Sequence, residues 1–117
     1  MKFVLMLVQD ARAWDEEPQA EKDRVFNEHM KVYAQMEAQG KLLGSQRLRP
    51  SKEAKTVRIR NGKRLVTDGP YCETREQTGG SYLIECASMD EALEWAMKMP
   101  QFGNPDYAAI EVRPIWE

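Results

Sequence analysis

Residues 2–9 (KFVLMLVQ) form a nearly unbroken apolar run, the pattern of a central strand covered on both faces. The period then changes. Over residues 15–39, Phe26, Met30, Tyr33 and Glu37 lie on one line, with Val25, His29, Val32 and Met36 beside it. That three-and-four spacing predicts an amphipathic helix. Asp15, Glu16 and Glu17 suit the positive end of its dipole, Pro18 fits its first turn, and Gly40 is a natural stop. Residues 42–48 read as a strand weakened by Gly44 and broken by Pro50-Ser51. Residues 56–60 alternate strictly, Asn61-Gly62 is a favoured two-residue hairpin turn, and residues 64–67 return as the partner strand. Residues 81–87 predict a further strand with Tyr82, Ile84 and Cys86 on one face. Ser88-Met89-Asp90-Glu91 is a capping box opening a helix that ends near Met99-Pro100. Residues 101–107 read as a loop, and residues 108–115 as the closing strand.

The predicted order is strand, helix, strand, hairpin, strand, helix, strand. With the hairpin set aside it is βαββαβ, the ferredoxin-like split βαβ arrangement of an α+β domain with an inserted β-hairpin. Two helices cover only one face of such a sheet. The expectation is a homodimer in which a second copy buries the other face and encloses a space between two sheets. A length of 117 residues suits one domain that gains from self-association.

Charge narrows the choice of partners. Charged residues make up 31% of the chain with both signs interspersed, and the net charge is −2, so no long-range attraction to nucleic acid or anionic membranes is expected. The N-terminal apolar run is far short of the ~20 residues of a membrane span and lacks a small-residue cleavage pattern. Cys72 and Cys86 read as reduced thiols of a cytoplasmic protein. One histidine and two separated cysteines make no zinc spacing, and there is no phosphate loop or dinucleotide fingerprint. No metal and no cofactor is expected.

The segment of greatest chemical interest is residues 68–80, DGPYCETREQTGG. It sets a carboxylate, Asp68, on a Gly-Pro corner, followed by a charged loop and a double glycine. Val66-Thr67-Asp68-Gly69-Pro70-Tyr71, with Glu73-Thr74-Arg75-Glu76 and Gly79-Gly80, resembles the signature of the DGPF group of YCII-related proteins. The first strand, the His29 helix running into Gly40-Lys41-Leu42-Leu43-Gly44, and Ile110-Glu111-Val112-Arg113-Pro114 extend the resemblance over nearly the whole chain. It implies a dimeric α/β barrel of ferredoxin-like units and a cleft with a histidine and an aspartate, which map to His29 and Asp68. Proteins similar to these include enzymes acting on chlorinated muconolactones, and some are encoded beside extracytoplasmic-function sigma factors. Tyr71 stands where phenylalanine is typical, and Cys72 where a small or apolar residue is usual.

Each candidate carries a structural alternative. His29 lies on the sheet-facing side of its helix, either hydrogen-bonded in the core or exposed to a cleft. If Asp68 accepts one of its ring protons, the imidazole pKa rises and His29 can act as a general acid or base near neutral pH. Asp68 before glycine also braces turns unaided. Tyr71, Arg75 and Tyr33 are candidate ligand contacts, Arg75 because guanidinium suits a carboxylate. Cys72 has no helix terminus or adjacent lysine to activate it, and Cys86 reads as core. Arg58, Arg60, Lys63 and Arg64 concentrate positive charge on the hairpin. The leading expectation is a small organic ligand in a cleft with a His29–Asp68 pair that moves a proton in elimination, isomerisation or hydrolysis. The alternative is a non-catalytic ligand-sensing or protein-interaction module linked to transcription.

Overall fold

A computed structural model describes residues 1–101 and 105–117. Among the described residues, six strands and three helices follow in the order β1 (Lys2–Asp10), α1 (Ala11–Glu16), α2 (Gln19–Ala38), β2 (Leu42–Arg47), β3 (Lys55–Arg60), β4 (Lys63–Asp68), β5 (Glu76–Glu85), α3 (Met89–Met97) and β6 (Ala109–Pro114). Four strands make an antiparallel sheet in the order β2-β5-β1-β6, and β3 and β4 form a separate two-stranded ribbon. The chain is therefore a mixed α+β protein whose own sheet is open. The expected barrel is not closed within one chain.

The helices lie on one face. Phe3 and Leu5 of β1 and Tyr82 and Ile84 of β5 point into a core with Val32 and Met36 of α2 and Ala92, Trp95 and Ala96 of α3. The strand period of two sends Val4, Met6 and Leu83 to the opposite face, where they are only half-buried. Val4 pairs with Leu83, and Met6 and Val4 pair with Glu111 and Arg113 of β6, which form an ion pair at 2.6 Å. The second face is thus an apolar strip with a charged edge.

Three local outcomes correct the sequence reading. The helix expected over residues 15–39 is two helices, because Glu17 before Pro18 is held in extended backbone (φ −72°, ψ 143°). A proline ring disfavours helical backbone in the residue before it, so Pro18 caps α2 from outside instead of sitting in its first turn. Asp10 starts α1 earlier than expected by accepting the Ala13 N–H at 3.1 Å. Strand β5 begins at Glu76, five residues before the expected start, so the double glycine lies inside the strand.

Other features follow the chemistry of the sequence. Asn61 and Gly62 both take positive φ, as their turn demands. The Ser88 hydroxyl accepts the Glu91 N–H at 3.2 Å, and the Glu91 carboxylate reaches back to the Ala87 N–H at 2.7 Å. Of the loop expected over residues 101–107, residues 102–104 lie outside the described residues, and Pro105–Tyr107 is a single 3-10 turn. Among the described residues no helix is long and apolar enough to cross a membrane.

Candidate functional site

Helix α2 divides its work along its length. Val32 and Met36 enter the core, whereas Val25, Phe26, His29, Met30 and Tyr33 border a cavity between the helix and the sheet. Its volume is about 160 Å³. Leu7, Gln9, Gly79, Gly80 and Tyr82 supply the sheet side, Ser45 and Arg47 come from β2, and Trp14 and Ile110 also border the space. The lining is mainly apolar and aromatic, with polar groups from Gln9, His29, Ser45, Gln46, Arg47 and Gln101, a make-up that suits a small-molecule pocket.

The double glycine builds the floor. A Cβ on Gly80 would stand 2.7 Å from the Gln46 carbonyl oxygen, so only glycine lets β2 approach β5 there. A Cβ on Gly79 would stand 2.6 Å from the Gln9 side chain, whose amide lies across that glycine. The register between β1 and β5 shifts beside it, between Leu7 and Val8. The irregularity turns Gln9 over the floor while Asp10, one residue on, is buried.

His29 Nδ1 lies 3.3 Å from the Tyr82 hydroxyl. Burial lowers the pKa of His29, because desolvation penalises the imidazolium. Burial raises the pKa of Tyr82, with a further contribution from nearby Tyr33. The pair is therefore neutral near pH 7, an imidazole and a phenol sharing a hydrogen bond. With Nδ1 engaged by Tyr82, Nε2 is the ring nitrogen left for a ligand.

A family model for the YCII-related domain matches residues 1–117. The chain belongs to the YCII family. An uncharacterized protein of Rhizobium meliloti (strain 1021) is 42% identical over 103 residues, which cover 88% of this chain and 80% of that protein.

In this YCII chain Asp68 does not meet His29. Its carboxylate bonds the Lys55 ammonium at 2.6 Å, its side chain is 88% exposed, and it is not among the cavity-lining residues. The Gly-Pro corner belongs to the base of the ribbon: the Gly69 N–H bonds the Ala54 carbonyl at 2.7 Å, and the Thr56 hydroxyl bonds the Gly69 carbonyl at 2.8 Å. Tyr71 is 78% exposed, and its carbonyl accepts a hydrogen bond from Arg58. Cys72 is exposed and Cys86 buried, where burial raises its thiol pKa. Of the candidate ligand contacts named from sequence, Tyr33 lines the cavity and Tyr71 and Arg75 do not.

Arg75 has another task. Its guanidinium bonds the buried Asp10 carboxylate at 2.7 Å and lies 4.4 Å over the Tyr107 ring. The Ala11 N–H bonds the Arg75 carbonyl at 2.9 Å. Burial pushes the Asp10 pKa up, but the Ala13 N–H and Arg75 outweigh it and the net shift is downward. Three elements, the start of α1, the loop before β5 and the 3-10 turn, are tied at this one carboxylate.

Sequence reasoning missed Tyr82, Asp10 and Arg47 as site or support residues. Tyr82 alternates with Ile84 and so reads as core, which its ring is; its hydroxyl at the cavity leaves no trace in the period. Asp10 had a usable signal, an N-cap residue directly after a strand, hidden by placing the helix start at residue 15. Among the described residues no group of three His, Cys, Asp or Glu side chains is gathered to hold a metal ion.

Proposed function

We propose that this YCII-family protein binds a small organic molecule in the cavity under α2, and that His29 exchanges a proton with it while Tyr82 orients the ring. The supporting observation is the placement of the chain's single imidazole, half-buried in an aromatic pocket with one nitrogen held by a phenol. A neutral imidazole accepts a proton through Nε2, and Tyr82 fixes the ring against rotation. The acid so formed returns the proton to a leaving group or to a neighbouring carbon, which is the economy of elimination or isomerisation. Hydrolysis would add a water held by the same nitrogen. The direct test is a substrate screen with purified protein, His29→Gln and Tyr82→Phe. Turnover lost in the first and reduced in the second supports the reading; turnover kept in His29→Gln removes it.

The strand order, with the ribbon set aside, suits a ferredoxin-like βαββαβ unit, and the half-buried strip of Val4, Met6 and Leu83 suits a homodimer with sheets face to face. The dimer would supply the barrel that one chain leaves open.

A second reading rests on the ribbon. Val57, Ile59 and Val66 are 63%, 63% and 66% exposed on one face of a two-stranded element that is marginal alone. This face, bordered by Arg58, Arg60, Lys63 and Arg64, suits a protein partner, such as one acting in transcription. A pull-down lost on Val57→Ser/Ile59→Ser but kept in His29→Gln favours this reading.

A further inference from the structure

Among the described residues that line the cavity, Arg47 is the one permanent cation. Arg47 ends β2, with its backbone fixed by pairing to Gly80 at the floor. Its guanidinium carbon stands 5.4 Å from the Phe26 ring centre and 6.0 Å from that of Trp14. The Lys22 ammonium stands 5.7 Å from the Trp14 ring, although Lys22 itself does not line the cavity. Among the described residues no carboxylate lies within ion-pair distance of Arg47 or Lys22, and the two carboxylates that flank Lys22 in sequence have other partners: Glu21 pairs with Arg24, and Asp23 accepts from the Gln19 amide. One cation, Arg47, therefore borders a cavity whose lining is largely apolar and aromatic.

We infer that the ligand is a small ring-bearing organic anion, with its ring in the cavity and its carboxylate held by Arg47. This rests on the proposed ligand-binding role of the cavity and adds to it the chemical class of the ligand and the residue that reads it. Aromatic faces hold a guanidinium by its π-surface and leave its N–H edge free, and that edge matches the two oxygens of a carboxylate. Lys22 adds a point charge of the same sign without a directional fork. The volume of about 160 Å³ suits one six-membered ring, since an apolar cavity of roughly 150 Å³ takes benzene. Val25, Met30 and Ile110 provide apolar walls. A ligand so placed presents its far side to His29 and Tyr82, so Arg47 sets which part of the molecule meets the imidazole.

The test titrates three probes into the protein, with the His29 imidazole and Trp14 indole NMR signals as the readout: benzoate, the neutral isostere benzamide, and inorganic phosphate. Benzoate is expected to shift both signals saturably, and benzamide to bind at least about tenfold more weakly, the factor a lost charge-assisted hydrogen bond implies. Arg47→Gln should bring benzoate down to the level of benzamide and leave benzamide unchanged. Arg47→Lys should fall between, and Lys22→Gln should have the smaller effect. Equal binding of benzoate and benzamide, or benzoate binding untouched by Arg47→Gln, overturns the anion class while leaving the cavity a ligand site. Phosphate binding as tight as benzoate overturns the ring requirement. Absence of saturable shifts with every probe removes both this inference and the reading beneath it. Unchanged backbone spectra of Arg47→Gln establish that the variant is folded.

Discussion

His29 and Tyr82 form a polar pair at the cavity: Nδ1 lies 3.3 Å from the phenol oxygen, under a helix that is packed at one end and bordered by the cavity at the other. Both groups are shifted by burial towards their neutral forms, the histidine downward and the tyrosine upward. A neutral pair in an apolar setting is a proton acceptor, whereas an imidazole tied to a carboxylate would be cationic. That difference decides what chemistry the cavity can support.

Stability should carry the signature of the buried imidazole. A histidine whose folded pKa lies below its unfolded value of about 6.5 binds its proton more readily in the unfolded chain. Its contribution is fully present above that unfolded value and is lost as pH falls through it towards the lower folded pKa. Urea unfolding of the wild type should therefore weaken below about pH 6.5. In His29→Gln the slope over that interval should flatten, and the difference between the two curves isolates the imidazole.

The two glycines of the floor should respond differently. Gly80→Ala forces a Cβ against the backbone oxygen of Gln46, which cannot turn aside. A loss of about 1–3 kcal/mol in denaturant unfolding is expected, the usual cost of an added methyl in a filled site. Gly79→Ala meets only the end of the Gln9 side chain, which can rotate. It should cost far less stability but displace Gln9, and so alter ligand affinity more than folding.

Asp10→Asn should destabilise more than Lys55→Ala, although each removes one member of an ion pair. The Asp10 carboxylate is buried and serves α1, Arg75 and the loop before β5 together; Lys55 and Asp68 are both largely exposed. Exposed pairs contribute little, whereas breaking a buried one leaves the partner charge uncompensated. Thermal melts of the two variants at pH 7 give the order. The Asp10 pKa is lowered on folding, so its contribution is present above the unfolded value and fades as pH falls through the folded one.

Much of this architecture is legible in the chain. The apolar run of β1, the strict alternation of β3, the Asn61-Gly62 turn and the Ser88 capping box each mark a local element, and the structure has each of them. What the sequence hides is what meets across distance. The pattern aims His29 at the sheet but cannot say that Tyr82, 53 positions later, is the group it touches. Asp68 attracts attention because of its corner, yet the ribbon carries that corner away from the cavity and gives it to Lys55. Arg75, read as a candidate ligand contact, is taken by an aspartate 65 positions earlier whose own role depends on a helix starting at Ala11.

The open face of the sheet gives a further test. A second copy seated on Val4, Met6 and Leu83 would make the wild type sediment as a dimer. Leu83→Arg, at the centre of that strip, should then sediment as a monomer with its helix content intact. A wild type that stays monomeric at high micromolar concentration removes the dimer.

The most direct measurement is an NMR titration of His29, made simple because the chain has one histidine. It should be run on the wild type, Asp68→Asn and Tyr82→Phe. The expected result is a wild-type pKa below the reference of about 6.5, unchanged in Asp68→Asn and moved in Tyr82→Phe. A pKa above the reference that falls back in Asp68→Asn would contradict the account, because it would make Asp68 the partner of His29 and Tyr82 a bystander.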